Sequence, residues 1–494
     1  MNDPAGLYPL LPEGVLALTI LVVISVDLFL AREHKWWLTP LTVLGLGLTA
    51  GVIALVWTST PTESLAGIYT VDRLALVLKL AAVGIAILAA LFSPSYLVQR
   101  RLPLGEFNAI LLFSTLGMFV LASSADLITL FLGLELMVMP AYLLTGFHKT
   151  DRFSNEGGLK YFLLGSFASA ILLFGVAWTY GLTGSTRFAD IAQVFSDGLM
   201  NGAVLVAIGF LTVGATFKVA AVPFHFWTPD AYQGAPTPIT GFLSVGPKLG
   251  AFALLLRLFG EALGPLRADW VDVFAVLAVV TMTFGNVVAL TQTNVKRMLA
   301  YSSIAHTGYI LAGLVAYAAA TDPAVATSAI EAVVFYLVGY GVMNIAAFAV
   351  VGMLQRDPRR YGGLASFAGL ASRQPALAAA MTVLLLSLTG IPPTVGFFAK
   401  LYILLSTVNA GLVWLAVAIA LNAALAAFYY LRVVVYMYMR DPEAEPAEVD
   451  RSGVGRLALA LSVAGVILLG VFPGLLLGWL PADWVASAAG LVGH

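Results

Sequence analysis

Runs of about 20 mostly apolar residues, each long enough to cross a bilayer as a helix, follow one another along almost the entire chain with short polar connections between them. They lie near 13–31, 37–57, 74–95, 107–123, 126–146, 158–180, 202–226, 238–260, 271–291, 298–318, 328–352, 377–407, 411–437 and 455–480. The pattern predicts an all-α polytopic membrane protein of about 14 transmembrane helices. The longest polar connections, around 181–200, 353–376 and 438–454, are only loop-sized, so residues 1–494 are read as a single transmembrane domain. No positive n-region precedes the first run in MNDPAGLYPLLPEG, and that run is read as a retained span rather than a cleaved signal.

Composition narrows the picture further. Of 494 residues, 60% are hydrophobic and 10% charged, against roughly 25% charged in a soluble domain, and mean hydropathy is +0.95. A net charge of −1 without basic–aromatic clusters speaks against nucleic acid. With no cysteine the chain holds neither disulfides nor cysteine-bound iron–sulfur clusters. No His, Asp or Glu set has metal-ligand spacing, and there is no P-loop, GxGxxG after a strand or nucleophile elbow.

Loop charges test the span count, because cytoplasmic connections retain Lys and Arg. Connections after odd-numbered spans carry fifteen basic residues, among them Lys296, Arg356, Arg359, Arg360, Arg451 and Arg456; those after even-numbered spans carry three, Arg73, Arg187 and Arg267. The bias predicts both termini on the outer side of a bacterial inner membrane. Of the basic residues left inside spans, Lys79, Arg257 and Arg432 lie within a few turns of an end, where a long side chain can snorkel to the headgroups. Lys218, Lys248 and Lys400 have apolar sequence on both sides and must face protein or water; Lys160, near the start of its span, is ambiguous by position.

Two spans look broken. In FKVAAVPFHFWTPDAYQGAPTP (217–238) Pro223 and Pro229 each lack a backbone donor, and in LTGIPPTVGFFAKLYIL (388–404) Pro392 and Pro393 sit among glycines. Non-helical backbone at membrane depth is tolerated only where protein or a wet cavity covers it, so each break predicts internal water. The breaks fall five spans apart, in spans 7 and 12. Discontinuous helices at corresponding positions suggest repeats, and an odd spacing makes them inverted: about 107–260 (spans 4–8) and about 271–437 (spans 9–13).

A buried lysine can hold or release a proton according to its surroundings, since burial disfavours the ammonium and a nearby carboxylate favours it. Glu135, mid-span in FLGLELMVMPAYLL, is the obvious carboxylate, and Lys160 on the following helix is near enough for a hairpin contact. A structural ion pair explains Glu135 and Lys160 as well as a switch does; it leaves Lys218, Lys248 and Lys400 with few acidic partners, as in a proton relay. His225, beyond the Pro223 break, and His306, flanked by Ser302, Ser303 and Thr307, are possible further relay groups, although a buried histidine satisfied by a hydroxyl or carbonyl is equally compatible.

The runs ADLITLFLGLELMVMPAYLL, EGGLKYFLLGSFASAILLFGVAWTYG, FKVAAVPFHFWTPDAYQGAPTP, KRMLAYSSIAHTGYILAG and LTGIPPTVGFFAKLYIL resemble the antiporter-like membrane subunits of respiratory complex I over roughly residues 105–435. Within that group the wording GIPPT and Lys400 in span 12 are most similar to the N type of the bacterial NADH:quinone oxidoreductase, and the short ending GLVGH is unlike the L type with its lateral helix. The resemblance implies a hydrated proton-translocating axis through Glu135, Lys160, Lys218, Lys248 and Lys400. It implies no cofactor in this chain, with NADH, FMN, iron–sulfur clusters and quinone handled by partner subunits, and other antiporter-like and small membrane subunits as neighbours in the bilayer. The same resemblance leaves open a subunit of a multisubunit Na+/H+ antiporter or of a membrane-bound hydrogenase or dehydrogenase. From the residues alone, a passive scaffold held by buried charges is the third possibility.

Overall fold

The computed structural model describes residues 7–57, 62–354, 362–442, 449–450 and 452–479. Arg356, Arg359, Arg360 and Arg451, counted above as loop charges, and the ending GLVGH lie outside them. Helices α1 (Leu11–Phe29) and α2 (Leu38–Leu55) lead to a small antiparallel hairpin, β1 (Thr62–Ser64) on β2 (Tyr69–Val71), with Thr62 opposite Val71. Next come α3 (Arg73–Phe92), α4 (Pro94–Gln99), α5 (Leu104–Ser123), α6 (Leu127–Thr145), α7 (Arg152–Thr183) and the short α8 (Phe188–Ser196). The first broken segment is α9 (Gly202–Lys218) and α10 (Trp227–Gly234), followed by α11 (Thr237–Leu243) and α12 (Gly246–Arg257). Then α13 (Arg267–Thr291), α14 (Val295–Ala319), α15 (Pro323–Leu354) and α16 (Leu370–Arg373) precede the second broken segment, α17 (Pro375–Thr389) and α18 (Val395–Asn409). The last elements are α19 (Val413–Met439), α20 (Gly453–Val471) and α21 (Gly474–Leu477).

Twelve described helical segments are long and apolar enough to cross a membrane. The expected spans 7 and 12 are not among them, because each is assembled from shorter pieces. Acidic or amide side chains start several helices: Asp72, Asp126, Asp151, Asn201 and Asn294 accept hydrogen bonds from first-turn amides of α3, α6, α7, α9 and α14. Those donors have no partner inside the helix, and the caps supply one.

Burial separates an inner from an outer layer. The most apolar window of Thr237–Ala262 is 100% buried and that of Val295–Ala319 is 94% buried, whereas that of Arg152–Thr183 is only 39% buried. Exposed Leu28, Phe167, Val276 and Leu421 give the outer helices an apolar exterior suited to lipid. Polar groups at membrane depth therefore belong against α12 and α14: Lys248 lies on α12 and is held by Ser303 of α14, while Lys218 closes α9 and Lys400 lies on α18.

Three basic residues expected to snorkel do not. Lys79 is fully buried and meets Glu13 of α1 at 2.7 Å. Arg257 is buried between Asp72 (2.7 Å) and Glu261 (2.6 Å), and its guanidinium also donates to the Ala122 carbonyl. Arg432 caps the carbonyls of Leu290 and Gln292 where α13 ends. Nearness to a span end gives depth but not direction, and these side chains point inward to acceptors remote in sequence. Lys296, counted as a loop charge, is likewise buried, with its ammonium on the Ala235 carbonyl at 2.6 Å.

Candidate functional site: a lysine row at three helix breaks

α9 ends at Lys218, and helical structure resumes only at Trp227. Three of the backbone groups set free around the break are taken up by side chains. Thr281 of α13 accepts from the Val222 amide (3.0 Å), Thr307 of α14 donates to the Val219 carbonyl (2.7 Å), and the Trp227 indole donates to the Phe217 carbonyl (3.3 Å). Pro223 lies in the break and Pro229 in the first turn of α10, where its missing amide costs nothing. Lys218 thus occupies the last turn of a half-helix, the end whose unpaired carbonyls favour a cation. Its ammonium donates to Ser169 Oγ of α7 at 2.7 Å, and Ser169 donates to Glu135 Oε1 of α6 at 2.5 Å. The Gly165 carbonyl (3.3 Å) and the Tyr142 hydroxyl (3.4 Å) complete its surroundings.

Glu135 is therefore joined to Lys218 through a hydroxyl, and the expected contact with Lys160 is not made. Lys160 sits toward the other end of α7, with 44% of its side chain exposed, and pairs with Glu156 and Asp230, both at 2.7 Å. The glutamate faces the middle of α7, where Ser169 is, and Lys160 lies more than two turns earlier along that helix. Asp230 is shared with Arg297 at 2.7 Å. Lys160→Gln should accordingly lower any transport by this chain no more than about fivefold, the ceiling for a partly exposed pair worth up to roughly 1 kcal/mol; a loss as deep as that of Lys218→Met in the same assay would place Lys160 in the row.

A third interruption, at Ser244–Val245 between α11 and α12, escaped the sequence reading, although Gly246–Pro247 marks it. Lys248 follows in the first turn of α12 and donates to the carbonyl (2.5 Å) and hydroxyl (2.7 Å) of Ser303. The Ser303 carbonyl also accepts from Thr307, whose hydroxyl reaches the carbonyl next to Lys218. Polar atoms thereby run between the two lysines.

Beyond Lys248 the row continues through rings. The Lys248 ammonium is 5.2 Å from the Tyr340 ring centroid, Tyr340 is 4.8 Å from His306, and His306 is 5.8 Å from Tyr309, whose ring lies 5.2 Å from the Lys400 ammonium. The His306 nitrogens meet the hydroxyls of Tyr336 (2.8 Å) and Tyr430 (3.1 Å), and Tyr430 is bonded in turn to Ser302. His225 packs edge-on against Phe284 at 4.6 Å, and among the described residues no hydrogen bond links it to the row. In the second break, Pro392 and Pro393 separate α17 from α18. Gly390 takes φ +92°, and a side chain at Gly396 would strike the Ser387 carbonyl, so only glycine fits. Lys400 folds back from α18 onto the last carbonyls of α17, those of Leu388 and Thr389, both at 2.8 Å.

Residues 124–426 match the family model described as NADH:quinone oxidoreductase/Mrp antiporter, TM. A protein of Trichlorobacter lovleyi named NADH-quinone oxidoreductase subunit N is 42% identical, over 96% of this chain and 96% of its own length. The chain belongs to this family. A subunit N of Alkalilimnicola ehrlichii is 40% identical over 94% of the chain and 93% of its own. Among solved structures, a chain of respiratory complex I from Thermus thermophilus with bound aureothin is 32% identical, with TM-score 0.79 over 94% of this chain and 98% of that one. A chain of the Mrp complex of Dietzia shares the fold at 21% identity, with TM-score 0.77 over all of this chain and 98% of its own. The matched range holds Glu135 and all four lysines of the expected axis.

Several members of the network were missed. Ser169, Tyr336, Tyr340 and Tyr430 are silent in a hydropathy scan, because a hydroxyl barely changes the score of an apolar run, and Ser303 and Thr307 stood out only as neighbours of His306. Lys296 was visible but misplaced. It borders a polar cavity of about 460 Å³ with Arg100, His148, Asp151 and Asn294. From its acceptor, the Ala235 carbonyl, contacts continue through the Thr240 hydroxyl (3.3 Å) to the Tyr232 carbonyl (2.9 Å).

Proposed function

We propose that the chain is a proton-translocating membrane-arm subunit of NADH:quinone oxidoreductase, carrying protons along the row from Glu135 through Lys218 and Lys248 to Lys400. The observation that carries this reading is that Lys218, Lys248 and Lys400 are all buried and, among the described residues, are held by neutral oxygens and not by ion pairs. Lone buried charges of this kind are costly as scaffolding, while amines bonded to hydroxyls and carbonyls can pass protons on. NADH oxidation and quinone reduction, with FMN and iron–sulfur clusters, fall to partner subunits. This chain answers them through the Glu135–Ser169–Lys218 connection.

The two units 107–260 and 271–437 are taken as inverted repeats, each contributing one broken span and its lysine. With both termini outside, the polar cavity at Lys296 opens to the cytoplasm and is the entrance to the row. Lys400 then lies in the half that leads outward.

The test is Lys400→Met in the assembled enzyme, with NADH-driven acidification of inverted vesicles followed by fluorescence quenching at wild-type levels of complex. The expected result is loss of most of the signal, and retention of full pumping would refute the relay. Repeating the assay with and without sodium separates the Na+/H+ antiporter alternative, which requires sodium-dependent exchange.

A further inference from the structure

Between α17 and α20 runs a groove of about 580 Å³, separate from the lysine row. Its walls are apolar: Leu377, Ala380 and Val383 on one side, Ala460, Ala464 and Ile467 on the other. It exists because alanines face each other where larger residues would close the space. One end differs in character. Gln374, the residue before α17, Arg456, in the first turn of α20, and Asp450 form a mouth where both helices begin, at the boundary of the hydrocarbon. Arg456 is exposed and has no partner among the described residues, and Asp450 spends one oxygen on the Ser452 amide at 3.0 Å.

An apolar channel at membrane depth does not hold water, and its occupant must change from hydrocarbon to charge along its length. The charge at the mouth has both signs. We propose that this groove is a binding site for a zwitterionic ethanolamine phospholipid. An acyl chain lies along Ala380 and Ala464, the phosphate is paired by the forked donors of Arg456, and the ammonium is met by Asp450. A lipid bearing only negative charge would still pair its phosphate with Arg456 but would leave Asp450 without a cation and facing a like charge.

The test uses the intact complex, washed in mild detergent, with retained lipids identified and counted by native mass spectrometry. Wild type should keep an ethanolamine phospholipid through the wash. Ala380→Trp should remove one such molecule per complex, and Arg456→Gln should lower its retention roughly tenfold, about 1.4 kcal/mol. Asp450→Asn should shift the retained species toward phosphatidylglycerol. Arg456 is exposed, so its variant decides the matter even if Ala380→Trp fails to assemble. Equal numbers and kinds of lipid in wild type and variants would overturn the site. So would a partner polypeptide cross-linked from Ala464→Cys, the sole cysteine such a chain would carry.

Discussion

Lys218→Met should reduce NADH-driven proton pumping by roughly two orders of magnitude, the usual contribution of a positioned proton-transfer group, in membranes where the complex is present at its normal level. Methionine matches the length and apolar stem of lysine, so α9 and the packing around its last turn are preserved while the exchangeable proton is lost. Lys218→Arg should be nearly as harmful. A guanidinium stays charged at every accessible pH and cannot release its proton. The informative companion is Ser169→Ala. Its hydroxyl is the bridge between the Lys218 ammonium (2.7 Å) and Glu135 (2.5 Å), so removing it should slow pumping by about tenfold with both charges intact. Wild-type pumping in Ser169→Ala, alongside a dead Lys218→Met, would mean that the lysine acts without Glu135.

The second large effect concerns folding rather than transport. Arg257→Met should destabilise the protein by about 3–5 kcal/mol, the cost of leaving buried charge unpaired. The carboxylates of Asp72 and Glu261 and the Ala122 carbonyl would each lose the guanidinium as a donor. The expected readout is a strong drop in the amount of assembled complex and in its thermal midpoint. Adding Asp72→Asn should recover part of the loss, because asparagine removes the stranded charge and can still cap α3 at the Ala75 amide. If Arg257→Met accumulated normally, the buried cluster would contribute nothing to holding α3 against α12.

The chain announces its architecture openly. Apolar runs near 20 residues have few alternatives to membrane helices, and paired prolines at 223 and 229 or 392 and 393 leave a helix little choice but to stop. The depth of Lys218, Lys248 and Lys400 was equally legible, since unbroken apolar sequence on both sides puts a charge where only protein can shelter it. Partners were not legible. Glu135 and Lys160 look like neighbours across a hairpin, yet the long α7 carries Lys160 toward Asp230 and offers Glu135 a serine instead. Charges near span ends were misread for a related reason: Arg257 and Asp72 stand 185 positions apart, and only the packing of α3 against α12 brings them together. The break before Lys248 was signalled by one proline and passed over because its span otherwise reads as continuous.

The way Lys400 is held has a mechanical side. Two of its three donors grip the final carbonyls of α17 across a gap of non-helical backbone, and a charged donor binds a carbonyl roughly twice as strongly as a neutral one. Protonated, the side chain is a fastener that closes the second break; neutral, it is a looser one. The presence of a single proton is thereby registered in how firmly one end of a helix is tied down, which makes the break a gauge as well as a gap.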